Sequence, residues 1–230
     1  MSDSLVSVKE VNKTYQRGGE TLVVLDDLNL EVPKGDFLAL MGPSGSGKST
    51  LLNLIGGLDT PTSGSIEVDG ERLDTFNSKA LSKWRASHVG FIFQFYNLLP
   101  TLSVFRNVQI PLLLSKLSNS QRKEHVERVL NIVNLLDESE QQVSQLSLGQ
   151  QQRTSIARAL VTDPQILVCD EPTTNLDKDG TSIEILQLLH TLNQDHGKTI
   201  LMATHDPVDA SFTKNTFMLP LNIKNNGDLL

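Results

Sequence analysis

The sequence predicts an α/β fold with a parallel-sheet core, an N-terminal antiparallel β portion and a helical insertion in the middle of the chain. Short apolar runs typical of buried parallel strands lie at 37–41, 166–169 and 199–203. A leucine pattern at helical spacing, 183–192, lies between the last two runs. Strand, helix and strand in this order indicate parallel strands joined by right-handed crossovers.

The front of the chain predicts β structure. Polar and apolar residues alternate at 5–11, and a longer apolar–polar run at 21–32 follows the turn signal Gly18-Gly19. Residues 65–68 predict another strand, which a tight turn ends. We therefore expect several short strands in a small β portion at the front of the chain.

The middle of the chain predicts helices. Leucine-rich and charged stretches run from about 78 to 136, and the helical spacing is clearest at 121–136. No internal repeat or linker is visible in the sequence. We expect one domain over residues 1–230, with a helical subdomain at about 95–160 inserted in the α/β core.

Composition sets the broad class of protein. In 230 residues, 38% are apolar and 20% charged, which excludes a collagen, a coiled-coil rod and a disordered chain. The formal net charge of −7 argues against nucleic acid as a partner, because phosphate contacts need clustered Lys and Arg. The single cysteine, Cys169, excludes an intramolecular disulfide and is typical of a reducing compartment. With no secretory signal, and an uncharged stretch at 86–105 that polar residues and proline interrupt, we expect a soluble cytoplasmic chain.

A phosphate-binding loop is the strongest motif. Residues 42–49 match G-x-x-x-x-G-K-[ST] after a predicted strand and before a predicted helix at 50–58. The glycines let backbone N–H groups converge on phosphate oxygens, and the helix N-terminus adds its positive end. Lys48 then reaches the outer phosphates and the Ser49 hydroxyl holds Mg²⁺. The candidate nucleotide-binding residues here are Gly42, Pro43, Ser44, Gly45, Ser46, Gly47, Lys48, Ser49 and Thr50.

A carboxylate pair ends the predicted strand at 166–169. Asp170 and Glu171 lie at the carboxyl end of that strand, where open α/β sheets bind ligands. Because side chains alternate along a strand, the two acids have different tasks. We expect Asp170 to support Mg²⁺ and Glu171 to polarise the water that attacks the γ-phosphate. We interpret Cys169 as a small buried apolar residue.

A third motif begins another helix. In residues 146–153, Ser147 is a candidate helix N-cap, so the helix start is a second candidate anion site. One phosphate loop and a separate anion-binding helix start in the same chain indicate that the two meet across a dimer.

The order of these motifs resembles the nucleotide-binding subunit of ATP-binding-cassette (ABC) transporters over nearly the whole chain. Residues 146–150 stand where that family has its signature LSGGQ. The resemblance implies that Gln94 senses Mg²⁺ and the γ-phosphate, that His205 contacts the γ-phosphate, and that Tyr15 stacks on adenine. It also implies that the 175–177 loop crosses to the other subunit. The signature and this loop add four implied nucleotide contacts, Ser147, Gly149, Gln150 and Asp177.

The resemblance implies a transport motor with ATP and Mg²⁺ as cofactors. Its expected partners are a second copy or a paralogous ATPase subunit and an integral membrane permease, which holds it at the cytoplasmic face of the membrane. Residues 54–61, 89–94 and 96–100 resemble the lipoprotein-releasing and macrolide-exporting branch, whose cargo is lipoprotein, lipid, peptide or drug-like. Apolar residues at 95–117 are candidates for the cleft that grips the permease, or for core.

The chain departs from the family pattern at three places. Leu148 stands where the signature has glycine, and leucine restricts close backbone approach to phosphate. We expect the composite site, formed by the phosphate loop of one subunit and the signature of the other, to be slowed or harder to close, with intact binding at the phosphate loop. Thr174 replaces a smaller residue with little expected effect, and we assign no function to 212–230.

Two other functional classes fit the sequence less well. A soluble ABC ATPase acting on nucleic acid or the ribosome usually carries two cassettes or a coiled-coil insertion, whereas this sequence has one cassette, no heptad run and no basic patch. A GTPase is not expected, because residues 177–180 fit D-x-x-G but no N-K-x-D motif follows.

Overall fold

A computed structural model describes residues 4–177 and 180–221. The strands are β1 (Ser4–Arg17), β2 (Glu20–Pro33), β3 (Phe37–Met41), β4 (Ser63–Val68), β5 (Glu71–Arg72), β6 (Val89–Ile92), β7 (Ile166–Asp170), β8 (Thr199–Thr204) and β9 (Asn215–Met218). The α-helices are α1 (Lys48–Ile55), α2 (Ser78–His88), α3 (Val104–Gln109), α4 (Asn119–Ile132), α5 (Leu148–Leu160), α6 (Thr181–Gln194) and α7 (Pro207–Ala210). Short 3₁₀ turns lie at Leu73–Thr75, Ile110–Leu114 and Val143–Gln145.

The chain folds as two compact units. The first contains the residues up to Arg85 and from Leu201 onward, and the second contains Ala86–Ile200. Two elements, α2 and β8, have residues in both.

An antiparallel sheet of order β2-β1-β4-β5 occupies the first unit. The hairpin of β1 and β2 turns at Gly18-Gly19, where both glycines have positive φ. Each strand is 14 residues long, so the expectation of several short strands is wrong. The pairing of β1 and β2 is irregular at several points, and Glu10 and Asp27 have positive φ. These irregularities interrupt the alternation of polar and apolar residues, so the sequence does not indicate how long the strands are.

Asparagine side chains satisfy the backbone at these irregularities. Asn29 Oδ1 accepts the N–H of Glu10 at 2.9 Å, and Asn12 Oδ1 accepts the N–H of Asp27 at 3.0 Å. Side-chain amides therefore replace the missing ladder bonds.

The phosphate-loop strand also belongs to the first unit. Strand β3 pairs in parallel with β9, with Leu38 opposite Asn215 and Met41 opposite Met218. Strand β9 lies within the 212–230 tail, whose residues 222–230 fall outside the described part. The amide of Asn215 donates to both carboxylate oxygens of Asp36 at 3.0 Å. The described part of the tail thus supports the strand that leads into the phosphate loop.

The second unit contains the parallel pair β6 and β7, in which Val89 lies opposite Ile166 and Ile92 opposite Cys169. Gly90 lets this pair pack against α5, because a Cβ there would lie 2.4 Å from the carbonyl oxygen of Ala159. Parallel pairs in both units, helices and a separate antiparallel sheet confirm the predicted fold class.

Two predicted helices have different bounds. Helix α4 ends at Ile132 rather than 136, because Asn134 adopts φ 55° and breaks the helix. Helix α1 begins at Lys48 and ends at Ile55, earlier than the predicted 50–58. The predicted 183–192 helix is confirmed as α6. No helix in the described ranges is both long and apolar enough to span a membrane.

Candidate functional site

The phosphate loop has the geometry that its glycines permit. Gly42, Gly45 and Gly47 have φ of 155°, 82° and 94°. A Cβ on Gly42 would lie 2.5 Å from the carbonyl oxygen of Leu219, and one on Gly47 would lie 2.8 Å from Leu25 Cδ2. At Gly42 and Gly47, both the positive φ and the lack of space for a Cβ therefore require glycine. Gly47 is the N-cap of α1 and has no side chain to cap it, so the first N–H groups of α1 suit an anion.

Lys48 lies within this loop. Its side chain is 6% exposed, and Nζ donates to the carbonyl oxygens of Gly42 at 2.7 Å and Pro43 at 3.1 Å. The ammonium thus braces the loop from inside. The Ser46 hydroxyl is also buried and makes no hydrogen bond within the described part of the chain. A buried hydroxyl in this state suits an added phosphate oxygen.

Tyr15 forms a cluster beside α1. Its hydroxyl donates to Asp59 Oδ2 at 2.8 Å, and Lys13 Nζ contacts Asp59 Oδ1 at 2.8 Å. The same ammonium lies 4.7 Å above the Tyr15 ring centroid, so the ring carries a cation on one face. Thr50 also hydrogen-bonds Tyr15 and links it to the first turn of α1. The ring is 39% exposed, which leaves room for a stacking partner.

The charges in this cluster shift two pKa values. Burial and the Asp59 carboxylate raise the pKa of Tyr15. Partial burial opposes ionisation of Asp59, but hydrogen bonds from Lys13 and Tyr15 hold its pKa below the ordinary value. At neutral pH Asp59 is therefore ionised and Tyr15 keeps its proton.

His205 follows β8 in the first unit and is exposed. The backbone beside it is fixed, because Thr204 Oγ1 donates to Asp209 at 2.8 Å and accepts the N–H of Asp206 at 3.0 Å. Asp206 in turn caps α7 through the N–H of Val208. Hydrogen bonds thus hold the backbone on both sides of the exposed His205.

The carboxylate pair lies at the end of β7 in the second unit. Residues 166–169 are buried, whereas Asp170 and Glu171 are half-buried. Glu171 has φ 47°, a left-handed conformation that costs a non-glycine residue about 1 kcal/mol or more. Cys169 is fully buried, which raises the pKa of its thiol and supports its interpretation as an apolar core residue.

Gln94 is half-buried, two residues beyond β6. Its carbonyl oxygen accepts the side-chain amide of Asn175 at 2.9 Å. Further along, Arg158 of α5 donates to the carbonyl oxygens of Tyr96 at 2.7 Å and Asn97 at 2.6 Å. The strand exit that carries Gln94 is therefore fixed at two points.

The signature segment forms the start of α5. Ser147 is its N-cap and forms a capping box with Gln150, as the sequence predicts for Ser147. A Cβ on Gly149 would lie 2.4 Å from Thr181 Cγ2, so packing against α6 requires glycine. Leu148 is 53% exposed, helical and without positive φ. The backbone at Leu148 therefore does not require glycine. The difference from the glycine of the family signature lies only in the bulk of the leucine side chain.

Asp177 has a local task. Its Oδ2 accepts the N–H of Thr181 at 3.1 Å, at the start of α6. Hydrogen bonds from Thr181 lower the pKa of Asp177. The carboxylate thus satisfies the first N–H group of α6, whose N-cap residue, Gly180, has no side chain to do so.

The predicted site residues divide between the two units. The first unit holds Tyr15, residues 42–50 and His205, and the second holds the other candidates, Gln94, Ser147, Gly149, Gln150, Asp170, Glu171 and Asp177. In the first unit, Thr50 hydrogen-bonds Tyr15. In the second unit, the carbonyl oxygen of Gln94 accepts a hydrogen bond from Asn175, in the loop that contains Asp177. Within the described ranges, no three His, Cys, Asp or Glu side chains form a group that could hold a metal.

Five residues around these motifs make contacts that the sequence does not predict: Lys13, Asp59, Arg158, Thr174 and Asn175. The Thr174 hydroxyl donates to Glu171 Oε2 at 3.0 Å, so the expectation of little effect from its size overlooked a polar contact. No local sequence pattern indicates the contact between Asp59 and Tyr15.

Comparison with known proteins gives a consistent result. The model of the ABC transporter family matches residues 25–174. The lipoprotein-releasing system ATP-binding protein LolD of Idiomarina loihiensis is 40% identical over 206 residues, covering 90% of each chain. The macrolide export ATP-binding/permease protein MacB 1 of Yersinia pestis bv. Antiqua is 42% identical over 208 residues, covering 90% of this chain and 32% of MacB. The dimeric post-hydrolysis structure of the Methanocaldococcus jannaschii cassette MJ0796, bound to ADP and Pi, has a TM-score of 0.85 at 39% identity, covering 94% of this chain and 96% of that one.

Proposed function

Because the chain belongs to the ABC transporter family, as an ATP-binding subunit that hydrolyses ATP, we propose that it is the motor of a lipoprotein-release or macrolide-export type of permease. Its cargo class is lipoprotein, lipid, peptide or drug-like molecules. The observation that carries the proposal is the preformed phosphate loop braced by Lys48, in a chain that resembles LolD over 90% of both lengths.

ATP binds along the first unit. The N–H groups of 42–50 and the Lys48 ammonium hold the phosphates, and adenine stacks on the exposed ring of Tyr15. The glycine conformations, the buried Ser46 hydroxyl and the open start of α1 support this arrangement.

Hydrolysis is an in-line displacement at the γ-phosphate. Glu171 acts as general base and accepts a proton from the attacking water. His205 donates a hydrogen bond to the γ-phosphate, and Gln94 senses whether the γ-phosphate is present. The left-handed backbone of Glu171 supports this role, because strained residues concentrate at active sites.

Mg²⁺ fits the oxygen donors assigned to it. The hydroxyl of Ser49, the amide oxygen of Gln94 and the carboxylate of Asp170 are hard ligands. Few protein ligands are needed, since Mg²⁺ at nucleotide sites is held largely by phosphates and water. An ion held by these residues would supply positive charge against the charge that develops on the phosphates.

A second copy, or a paralogous ATPase subunit, completes each site. The start of α5, with Ser147, Gly149 and Gln150, faces the nucleotide of the other subunit, and Asp177 lies in the loop that crosses over. The dimeric state of MJ0796 supports this assembly. Because the Asp177 carboxylate already accepts the first N–H of α6, we assign its contribution to shaping that loop.

The permease docks on the second unit. Four large apolar side chains in the 95–117 segment are strongly exposed: Phe95, Leu99, Leu113 and Leu114, the last at 99%. Of these four, Leu113 also lines a groove of about 510 Å³, together with Leu102, Phe105, Arg106, Gln109, Ile110 and Glu140. A mainly apolar groove that also carries one basic and one acidic side chain, Arg106 and Glu140, suits an amphipathic helix. The helices of 95–160 then act as the helical subdomain, and the chain is peripheral at the cytoplasmic face of the membrane.

ATP-dependent dimerisation tests the motor. Glu171→Gln with MgATP is expected to run at twice the monomer mass in light scattering after gel filtration, and as a monomer without nucleotide. Lys48→Ala is the matched control and stays monomeric in MgATP. If Glu171→Gln stays monomeric at saturating MgATP, the proposed dimer, in which each subunit completes the other's site, is contradicted.

A further inference from the structure

The turn after β7 is held tightly to its surroundings. The N–H of Thr174 lies 3.4 Å from the carbonyl oxygen of Glu171, and the N–H of Leu176 donates to Thr173 at 3.0 Å. From α5, the buried Gln152 amide donates to the carbonyl oxygen of Pro172 at 2.6 Å. The backbone between Glu171 and Leu176 is therefore fixed by bonds of its own and by α5.

Two neighbouring side chains on this turn point to two different functional residues. The Thr174 hydroxyl donates to Glu171 Oε2 at 3.0 Å. The next residue, Asn175, donates its amide to the carbonyl oxygen of Gln94 at 2.9 Å. One short segment thus contacts both the candidate general base and the backbone of the candidate γ-phosphate sensor.

Each bond restricts the movement of one group in the candidate site. A glutamate side chain has several rotatable bonds, and a hydrogen bond to one carboxylate oxygen selects one orientation. A carboxylate accepts about four hydrogen bonds, so the Thr174 bond leaves Glu171 able to accept a proton. The Asn175 bond fixes the peptide of Gln94 in a segment beyond the end of β6.

We propose that Thr174 and Asn175 are positioning residues, which hold Glu171 and Gln94 in the arrangement that hydrolysis needs. The inference rests on the proposed function of Glu171 as general base. Neither residue touches the nucleotide: Thr174 acts through the Glu171 carboxylate and Asn175 through the Gln94 backbone. A small misplacement of a catalytic group costs a large factor in rate, so both contacts matter to turnover.

Steady-state ATP hydrolysis tests the Thr174 contact. Thr174→Val keeps the shape and removes the donor, and is expected to lower kcat about three- to tenfold with KM for ATP unchanged within about twofold. Thr174→Ser keeps the hydroxyl and is expected to retain kcat within about twofold. In a Glu171→Ala background, measured by single-turnover phosphate release, Thr174→Val is expected to have no further effect, since the group it positions is gone.

Other outcomes overturn this assignment. Equal or higher kcat in Thr174→Val, a loss shared equally by Thr174→Ser, or the same loss in the Glu171→Ala background contradicts a positioning role. Failure of the wild-type chain to hydrolyse MgATP instead contradicts the proposed function itself.

Hydrogen exchange tests the Asn175 contact without reference to activity. Asn175→Ala is expected to raise amide exchange across 94–98 by about fivefold or more, while exchange within α6 is unchanged. Unchanged exchange across 94–98, or faster exchange throughout the second unit, overturns the assignment of Asn175.

Discussion

Gly149→Ala adds a methyl group where α5 and α6 already touch. The added Cβ would lie 2.4 Å from Thr181 Cγ2, whereas carbon atoms at optimal separation lie about 3.5–4.0 Å apart. Thr181 does not turn aside freely, because its N–H and side chain both hydrogen-bond Asp177. The substitution therefore forces the two helices or this contact with Asp177 to move.

Two opposing effects determine how far Gly149→Ala changes the free energy of unfolding. Overpacking of this kind costs about 1–3 kcal/mol. Alanine favours the helix over glycine by up to about 1 kcal/mol, which offsets part of that cost. We expect the free energy of unfolding in urea to fall by about 1–2 kcal/mol.

A second substitution isolates the contact. Thr181→Ser removes Cγ2 and keeps the hydroxyl, whose oxygen would lie 3.9 Å from the added Cβ. In that background the cost of Gly149→Ala is expected to fall to about zero, giving a coupling free energy of about 1 kcal/mol or more. Leu148→Ala, at an exposed neighbouring position, is the control and should change stability by less than about 0.5 kcal/mol. Equal costs of Gly149→Ala in both backgrounds would refute the argument.

Three further predictions concern single side chains. Leu148→Gly is expected to raise ATP turnover at a stability cost of up to about 1 kcal/mol, and rates equal within error would count against the composite-site argument. Asp59→Asn is expected to lower the free energy of unfolding at neutral pH, because the pKa of Asp59 is lowered in the folded state. That stabilisation is full above the unfolded-state pKa of about 3.9 and is lost as pH falls through the lower folded-state value, so the two proteins should converge in acid; a pH-independent difference in urea titrations contradicts it. Arg158→Met removes both donors to the carbonyls of Tyr96 and Asn97 and is expected to lower stability by about 1.5–3 kcal/mol, with Arg158→Lys intermediate in thermal unfolding; a lysine variant as unstable as the methionine one contradicts a role for the charge.

Features governed by local chemistry could be predicted from the sequence. The conformation of the 42–50 loop follows from its glycines, and Ser147 caps α5 because a short hydroxyl side chain suits that position. The apolar run at 166–169 is the buried strand that its composition indicates. In each case a few adjacent residues determine the outcome.

Features that depend on distant residues could not be predicted in this way. Tyr15 and Asp59 are separated by 44 positions, and Gln94 and Asn175 by 81, so no local pattern joins them. The length of β1 was missed because Glu10 interrupts the alternation that marks a strand. These contacts exist only once the fold brings the residues together.

Capture from membranes tests the central claim most directly. Glu171→Gln is purified with MgATP from detergent-solubilised membranes, with Lys48→Ala and Leu114→Glu as controls. The account predicts that an integral membrane protein accompanies Glu171→Gln stoichiometrically, and that Leu114→Glu hydrolyses ATP but loses this protein. If Glu171→Gln stays in the soluble fraction with no membrane protein bound, the chain is not a permease motor.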